Sequence, residues 1–261
     1  MPYRELSGPG RRAPHVACVW QRDPEPAAHA HRIVPDGCAD VVWVQGRQLA
    51  IAGPQTEARV SEIPAGAAAL GVRFRIGAAG SALGVPAREL LDRSVALEDV
   101  WGLGARRLAE RLDAAATPDE ALAAFTAAIE RRLPAPTELD TLVRAAALRA
   151  ARPRAPVEAL GDGLGVGERQ LRRRFLDAVG YGPKTLQRVL RFQRFLALAR
   201  APHADSDLAG LAFAAGYADQ AHLTRECRRL AGLPPAALLA TGAGPVGEAA
   251  ATFEPGAALA A

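Results

Sequence analysis

The chain has 261 residues, 49% hydrophobic and 23% charged, with 3 Trp, 3 Tyr and 7 Phe, so it is long enough for one large or two ordinary domains whose cores rest on Ala, Leu and Val. Its formal charge of +4 comes from 32 basic and 28 acidic side chains, and every basic one except Lys184 is arginine, a bias that GC-rich codon usage alone would produce. The absence of any run of about 18 apolar residues argues against a membrane span, the start Met1–Gly8 lacks the apolar core of a secretory signal, and Cys18, Cys38 and Cys227 are scattered in a way that suits free thiols in a reducing cytoplasm.

Up to about Val85 the pattern is strand-like. His15–Trp20, Asp40–Val44, Gln48–Ala52 and Ala68–Ile76 are short apolar or alternating runs between turn signals such as Pro35-Asp36-Gly37 and Gly53-Pro54. They predict a small antiparallel β unit over 1–85. From Pro86 to Leu133 the period becomes helical, with Leu90, Leu97, Leu108, Leu112, Leu122, Phe125 and Ile129 at spacings near three and four. Thr117 before Pro118 has the form of an N-cap followed by proline at the first helical position.

Pro134-Ala135-Pro136 marks a boundary, because two prolines in three residues end a helix and stiffen the connection. Thr137 is then expected to cap a helix running to about Ala151, and everything onward to Leu239 reads as helices between short Gly/Pro turns. Pro183–Arg200 reads as one continuous helix, 18 residues long. Residues 242–261 are Gly, Ala and Pro without pattern and predict a disordered tail.

A shift of 52 residues superposes Leu171 on Leu223, Arg173 on Arg225, Gly180 on Gly232, Pro183 on Pro235 and Leu186 on Leu238. This constant register predicts two copies of one helix-turn-helix unit, at about 157–179 and 208–231. At about 100° per residue, Leu171, Phe175 and Val179 share one face of the first unit's second helix, with Arg169 and Arg173 opposite and Arg172 and Arg174 on the flanks. Leu223, Cys227 and Leu230 do the same in the second unit, leaving Arg225 and Arg228 outward with Gln220 and Thr224 beside them. A solvated helix face is the plain alternative for one such ridge; two ridges in register count against it. Arginine can span guanine O6 and N7 with two hydrogen bonds, and glutamine can do the same on adenine.

Charge follows the same division. Residues 1–137 hold 16 basic and 16 acidic side chains, residues 138–241 hold 16 and 10, and the tail holds two acidic ones. Codon bias raises arginine everywhere but does not confine the excess to the duplicated half. A basic domain beside a neutral one is the electrostatic signature of phosphate binding.

The residues Arg169-Gln170-Leu171-Arg172-Arg173-Arg174-Phe175, Gly180-Tyr181-Gly182-Pro183, Leu211-Ala212, Gly216-Tyr217-Ala218-Asp219-Gln220-Ala221-His222-Leu223-Thr224-Arg225 and Gly232-Leu233-Pro234-Pro235 resemble the AraC/XylS family of bacterial transcription regulators. The resemblance covers about 100 residues and departs from the family pattern at two positions: Gly167 stands where a capping Ser is usual, and Cys227 where a core Phe is usual. It implies an α+β protein: an N-terminal sensor or dimerisation domain (1–136, with a β region over 1–85 and a helical region over 86–133), then an all-α domain (137–241) of two helix-turn-helix units joined by a long helix. It also implies a DNA contact set of Arg169, Arg172 and Arg173 from the first unit and Gln220, His222, Thr224 and Arg225 from the second.

The N-terminal stretches Arg32–Asp40, Gly71–Gly77 and Leu83–Pro86 resemble an uncharacterised sensor domain that accompanies this DNA-binding domain in some regulators. The expected partner is double-stranded promoter or operator DNA, in the cytoplasm and away from membranes. A small-molecule effector of unknown identity, contact with RNA polymerase and a homodimer stay open. No catalytic, cofactor or metal residues are assigned. His29, His31, Cys38 and Asp40 match no established zinc spacing, and Asp36 and Asp40 flank the thiol with charge that raises its pKa. The competing readings are a thiol- or metal-sensing N-terminal domain with enzyme-like chemistry and DNA binding as output, and a helix-turn-helix used only for protein contacts.

Overall fold

The computed structural model describes residues 3–7, 14–135, 140–152, 155–156, 158–201 and 207–241. Pro136 and Thr137, expected to close one helix and cap the next, and the tail 242–261, expected to be disordered, lie outside the described residues.

Among the described residues up to 96 there are eight strands: β1 (Tyr3–Ser7), β2 (Val16–Arg22), β3 (His29–Ile33), β4 (Asp40–Val44), β5 (Ala50–Ala52), β6 (Arg59–Ile63), β7 (Ala69–Phe74) and β8 (Ser94–Ala96). Six of them form an antiparallel sheet in the order β1-β2-β7-β4-β5-β8, and β3 pairs with β6 as a separate two-stranded ribbon. Successive side chains on a strand point to opposite faces. One face carries Val41, Trp43, Ile51, Leu70, Val72 and Phe74 into a core with Leu97, Leu108, Leu112, Phe125 and Ile129. Those last residues come from α2 (Leu97–Trp101), α3 (Leu103–Asp113) and α4 (Pro118–Glu130). The other face carries Cys18, Trp20 and Ala69, which pack with Ile63 of the ribbon. Thr117 caps α4 as expected, its side chain accepting from the Glu120 backbone N–H at 3.2 Å, with Pro118 in the first turn.

The α+β class stands, but five elements depart from the sequence expectation. β1, β3 and β6 are absent from the sequence reading because their residues are largely polar and their pairing is long-range; Ala30, for example, lies opposite Glu62. β8 sits inside the stretch expected to be helical, because Ser94–Ala96 completes the sheet edge against β5. A short helix, α1 (Ala79–Leu83), replaces the end of the expected β region and closes on Gly84 in the left-handed conformation.

The described residues of the C-terminal half form helices alone: α5 (Thr141–Ala150), a 3-10 turn (Glu158–Gly161), α6 (Glu168–Val179), α7 (Pro183–Arg200), α8 (Leu208–Ala215), α9 (Gln220–Ala231) and α10 (Pro235–Ala240). The cap of α5 is Asp140, whose carboxylate accepts from the Leu142 and Val143 N–H groups at 3.1 Å. The 52-residue repeat is visible in the backbone. Helices α6 and α9 are each 12 residues long, each ends on a left-handed glycine (Gly180 at φ +95°, Gly232 at φ +71°), and Pro183 and Pro235 open the next helix. Glycine takes positive φ at little steric cost and proline suits a first helical position, so these pairs act as punctuation.

One core joins these helices, with Phe175, Leu186, Val189, Leu190, Phe192, Phe195, Tyr217 and Leu223 all buried. Val34, Cys38 and Ile76 from the β region belong to the same core. The loop carrying them is fastened to α7, where Gln193 Nε2 donates to the Pro35 carbonyl at 2.5 Å. Beside it Gly37, at φ +88°, places its backbone where a Cβ would lie 3.2 Å from Leu186.

Candidate nucleic-acid interface

The second helix-turn-helix unit is built on side-chain caps. Asp207 accepts from the Gly210 N–H at 2.7 Å to start α8, and Asp219 accepts from the His222 N–H at 2.6 Å to start α9. Gly216, at φ +94°, ends α8, and buried Tyr217 anchors the turn between the helices. In the first unit a 3-10 turn stands in the position of α8, held by Arg149, whose Nη1 donates to the Leu160 carbonyl at 3.0 Å and the Asp162 carbonyl at 2.6 Å. Helix α6 starts at Gly167 with no side-chain cap.

Both 12-residue helices bury one stripe and leave the other face to solvent. On α6, Leu171, Phe175 and Val179 are buried and Arg169, Arg172 and Arg173 are exposed. On α9, Leu223, Cys227 and Leu230 are buried, and Gln220, Arg225, Arg228 and Arg229 are exposed. Two residues of the expected contact set are half-buried instead. Thr224 donates its hydroxyl back to the Gln220 carbonyl at 2.9 Å, and the His222 ring lies edge-on to Tyr217 with centroids 5.2 Å apart. Arg174 turns away from the exposed ridge and pairs with Asp140 at 2.9 Å, which ties α6 to the start of α5.

Several arginines of the basic half are structural, a distinction that composition cannot make. Arg188 on α7 makes two hydrogen bonds to Glu226 on α9, at 2.9 and 2.7 Å. Arg191 lies 5.6 Å from the Tyr217 ring centroid, and Arg194 donates to the Ala151 carbonyl. Burial pushes the Glu226 carboxyl up, but Arg188 outweighs it and the pKa falls below the ordinary carboxylate value. No local sequence signal marks the Arg188–Glu226 pair, because its members lie 38 residues apart.

The N-terminal thiols offer no counterpart chemistry. Cys18, Cys38 and Cys227 are all buried and free. Burial, joined by Asp36, raises the Cys38 thiol well above its ordinary pKa. Among the described residues no group of three His, Cys, Asp or Glu side chains could hold a metal ion. Among the described residues, nothing supports the thiol- or metal-sensing alternative. Nor is any helix of the described residues long and apolar enough to cross a membrane.

Residues 160–241 match the family model of a helix-turn-helix domain. Residues 11–96 match a domain of unknown function (DUF6597). No curated protein matches the chain. Among solved structures the chain is similar to an apo variant of ToxT from Vibrio cholerae strain SCE256, at 12% identity and a TM-score of 0.44, over 86% of this chain and 97% of that one. It is also similar to ToxT from Vibrio cholerae O395, at 10% identity and a TM-score of 0.42, over 88% and 97% of the two chains.

Proposed function

We propose that this protein is a sequence-specific DNA-binding transcription regulator of the AraC type. The observation that carries the reading is the pair of 12-residue helices, α6 and α9, each with a buried apolar stripe and an exposed arginine-rich ridge, repeated in one register. Helix α7 joins the two units; its 18 residues at about 1.5 Å each give roughly 27 Å. That length is close to the roughly 34 Å repeat of B-DNA, so α6 and α9 read successive major-groove segments on one face, and a bend in the DNA takes up the shortfall. Arg169, Arg172, Arg173, Gln220 and Arg225 supply base and phosphate contacts. Thr224 and His222, held against their own unit, contribute through the phosphate backbone at the edge of the groove.

Residues 1–136 take the role of sensor or dimerisation domain, and residues 137–241 that of DNA-binding domain. The test is selection of genomic fragments from the source organism with the purified full chain, followed by Arg173→Ala and Arg225→Ala on the best fragment. Each substitution is expected to cost about 1–3 kcal/mol in specific binding. Wild-type affinity in both variants would remove α6 and α9 from the groove.

A further inference from the structure

The face of the large sheet that points away from α2, α3 and α4 encloses a cavity of about 270 Å³, lined by strands of the sheet and by the β3–β6 ribbon. Its volume lies close to the lower end of the roughly 300–1,000 Å³ typical of small-molecule sites. Strand alternation builds it: Val42 and Val44 of β4, Ala50 and Ala52 of β5, Ala69 of β7 and Ile63 of β6 supply an apolar wall. Trp20 lies along the same cavity, and Gly71 makes room for its ring, since a Cβ there would fall 1.9 Å from Trp20 Cε2.

Charge is gathered at one end. Arg73 donates from Nε to Asp40 Oδ1 at 3.1 Å and from Nη2 to Asp40 Oδ2 at 3.2 Å, and Trp20 Nε1 donates to Asp40 Oδ2 at 2.9 Å. Asp40 is thereby satisfied. Asp36 is held more loosely: its Oδ1 accepts from the Cys38 N–H at 2.9 Å, and its Oδ2 lies 3.5 Å from the Arg73 Nε, which is already committed to Asp40. The Asp36 side chain is 13% exposed, so one guanidinium serves two carboxylates away from bulk water. Gln55, 7% exposed, adds a second acceptor to the lining, because its Oε1 is buried without a hydrogen-bond partner. Arg47 and Arg59 also line the cavity, but both are exposed, where solvent screens them, and Arg47 is spent on the Glu62 carbonyl. His31, Ser61 and Ser94 line the cavity as well, but the buried cation beside the two carboxylates is Arg73, shared between Asp36 and Asp40.

We propose that this cavity binds a small molecule bearing a protonated amine on an apolar body, with the amine at Asp36 and Gln55 and the body against Val42, Val44 and Ala50. An ammonium group brings a second positive charge and more donors, and burying carboxylates without enough of them is costly. A carboxylate ligand would meet Asp36 and find Arg73 already engaged. The loop that presents Asp36 also presents Pro35 and Gly37 to α7, through the Gln193 hydrogen bond and the Leu186 contact. Occupancy of the cavity thus acts at the seat of the helix that joins the two helix-turn-helix units; its effect on DNA rests on the function proposed above, whereas the binding itself does not.

The experiment uses the full chain with phenethylamine as probe and phenylethanol and phenylpropionate as matched controls, read by tryptophan fluorescence and by melting temperature. Phenethylamine is expected to bind saturably and raise the melting temperature, with both controls weaker by about tenfold or more. Asp36→Asn keeps the acceptor for the Cys38 N–H and is expected to weaken the amine by about tenfold. Ala50→Trp fills the cavity without touching its charge and is expected to abolish binding, which keeps the test decisive if Asp36→Asn fails to fold. Absence of saturable amine binding up to about 10 mM, equal binding of phenylpropionate, or undiminished binding by Ala50→Trp would each overturn the site. A DNA-binding assay with and without phenethylamine reads the coupling separately, so loss of DNA binding in every sample would count against the proposed function and leave the amine site standing.

Discussion

Removing the Arg188–Glu226 clamp tests how α9 is held on α7. The pair makes two charge-assisted hydrogen bonds, at 2.9 and 2.7 Å, and its side chains are only 21% and 12% exposed. Exposed ion pairs contribute about 0–1 kcal/mol, and breaking a fully buried one costs about 3–5 kcal/mol. This half-buried pair falls between, so Arg188→Ala is expected to cost about 2 kcal/mol. A double-mutant cycle with Glu226→Gln, measured by urea denaturation of the full chain, should return a coupling of about 1–2 kcal/mol. The pH dependence follows from the lowered Glu226 pKa. A carboxyl whose folded pKa lies below its unfolded value adds stability above the unfolded value and loses it as pH falls through the folded one. The stability gap between wild type and Glu226→Gln should therefore be constant above about pH 5 and close below about pH 4. A coupling under about 0.3 kcal/mol, or a gap unchanged between about pH 6 and pH 3, would refute the clamp.

Other substitutions probe single contacts. Gly71→Ala drives a Cβ to within 1.9 Å of the Trp20 ring and should cost about 1–3 kcal/mol, with a shift in tryptophan emission as the Trp20–Asp40 bond is lost; an unchanged urea midpoint and spectrum would show that the ring has room. Asp219→Ala removes the cap of α9 and should cost about 1 kcal/mol, whereas Gly167→Ser supplies the cap that α6 lacks, in open space, and should gain a few tenths of a kcal/mol. The two changes should move the urea midpoint in opposite directions. Gly232→Ala forces a side chain onto a residue at φ +71° and should cost about 1–2 kcal/mol in the same assay.

The helix-turn-helix repeat was legible because each of its signals is local. Gly180 and Gly232 end helices through their own φ, Pro183 and Pro235 start them, Asp219 caps through a bond three residues on, and a period near 3.6 separates Phe175 from Arg173. The exposed arginines were legible as a ridge, but those consumed inside the structure were not. Arg174, Arg188 and Arg194 carry the same charge as Arg173, and only their distant partners Asp140, Glu226 and Ala151 set them apart.

Taken alone, the sequence determined the α+β class, the Thr117 cap, the long helix α7 and the two-unit grammar of the C-terminal half. The caps, periods and Gly/Pro turns behind them act between residues within about one or two helical turns, where chain geometry leaves few alternatives, and the 52-residue repeat shows the same local signals twice. Tertiary structure alone decided the rest. It paired His29–Ile33 with Arg59–Ile63, brought Ser94–Ala96 back to the sheet edge beside Ala50–Ala52, and set Val34, Cys38 and Ile76 in the core of the helical half. It also converged Asp36, Asp40, Arg73 and Gln55 on one cavity. These arrangements depend on strand registers and packing between segments far apart in the chain, and no local period or turn residue encodes which distant partner a polar strand or a buried carboxylate will meet.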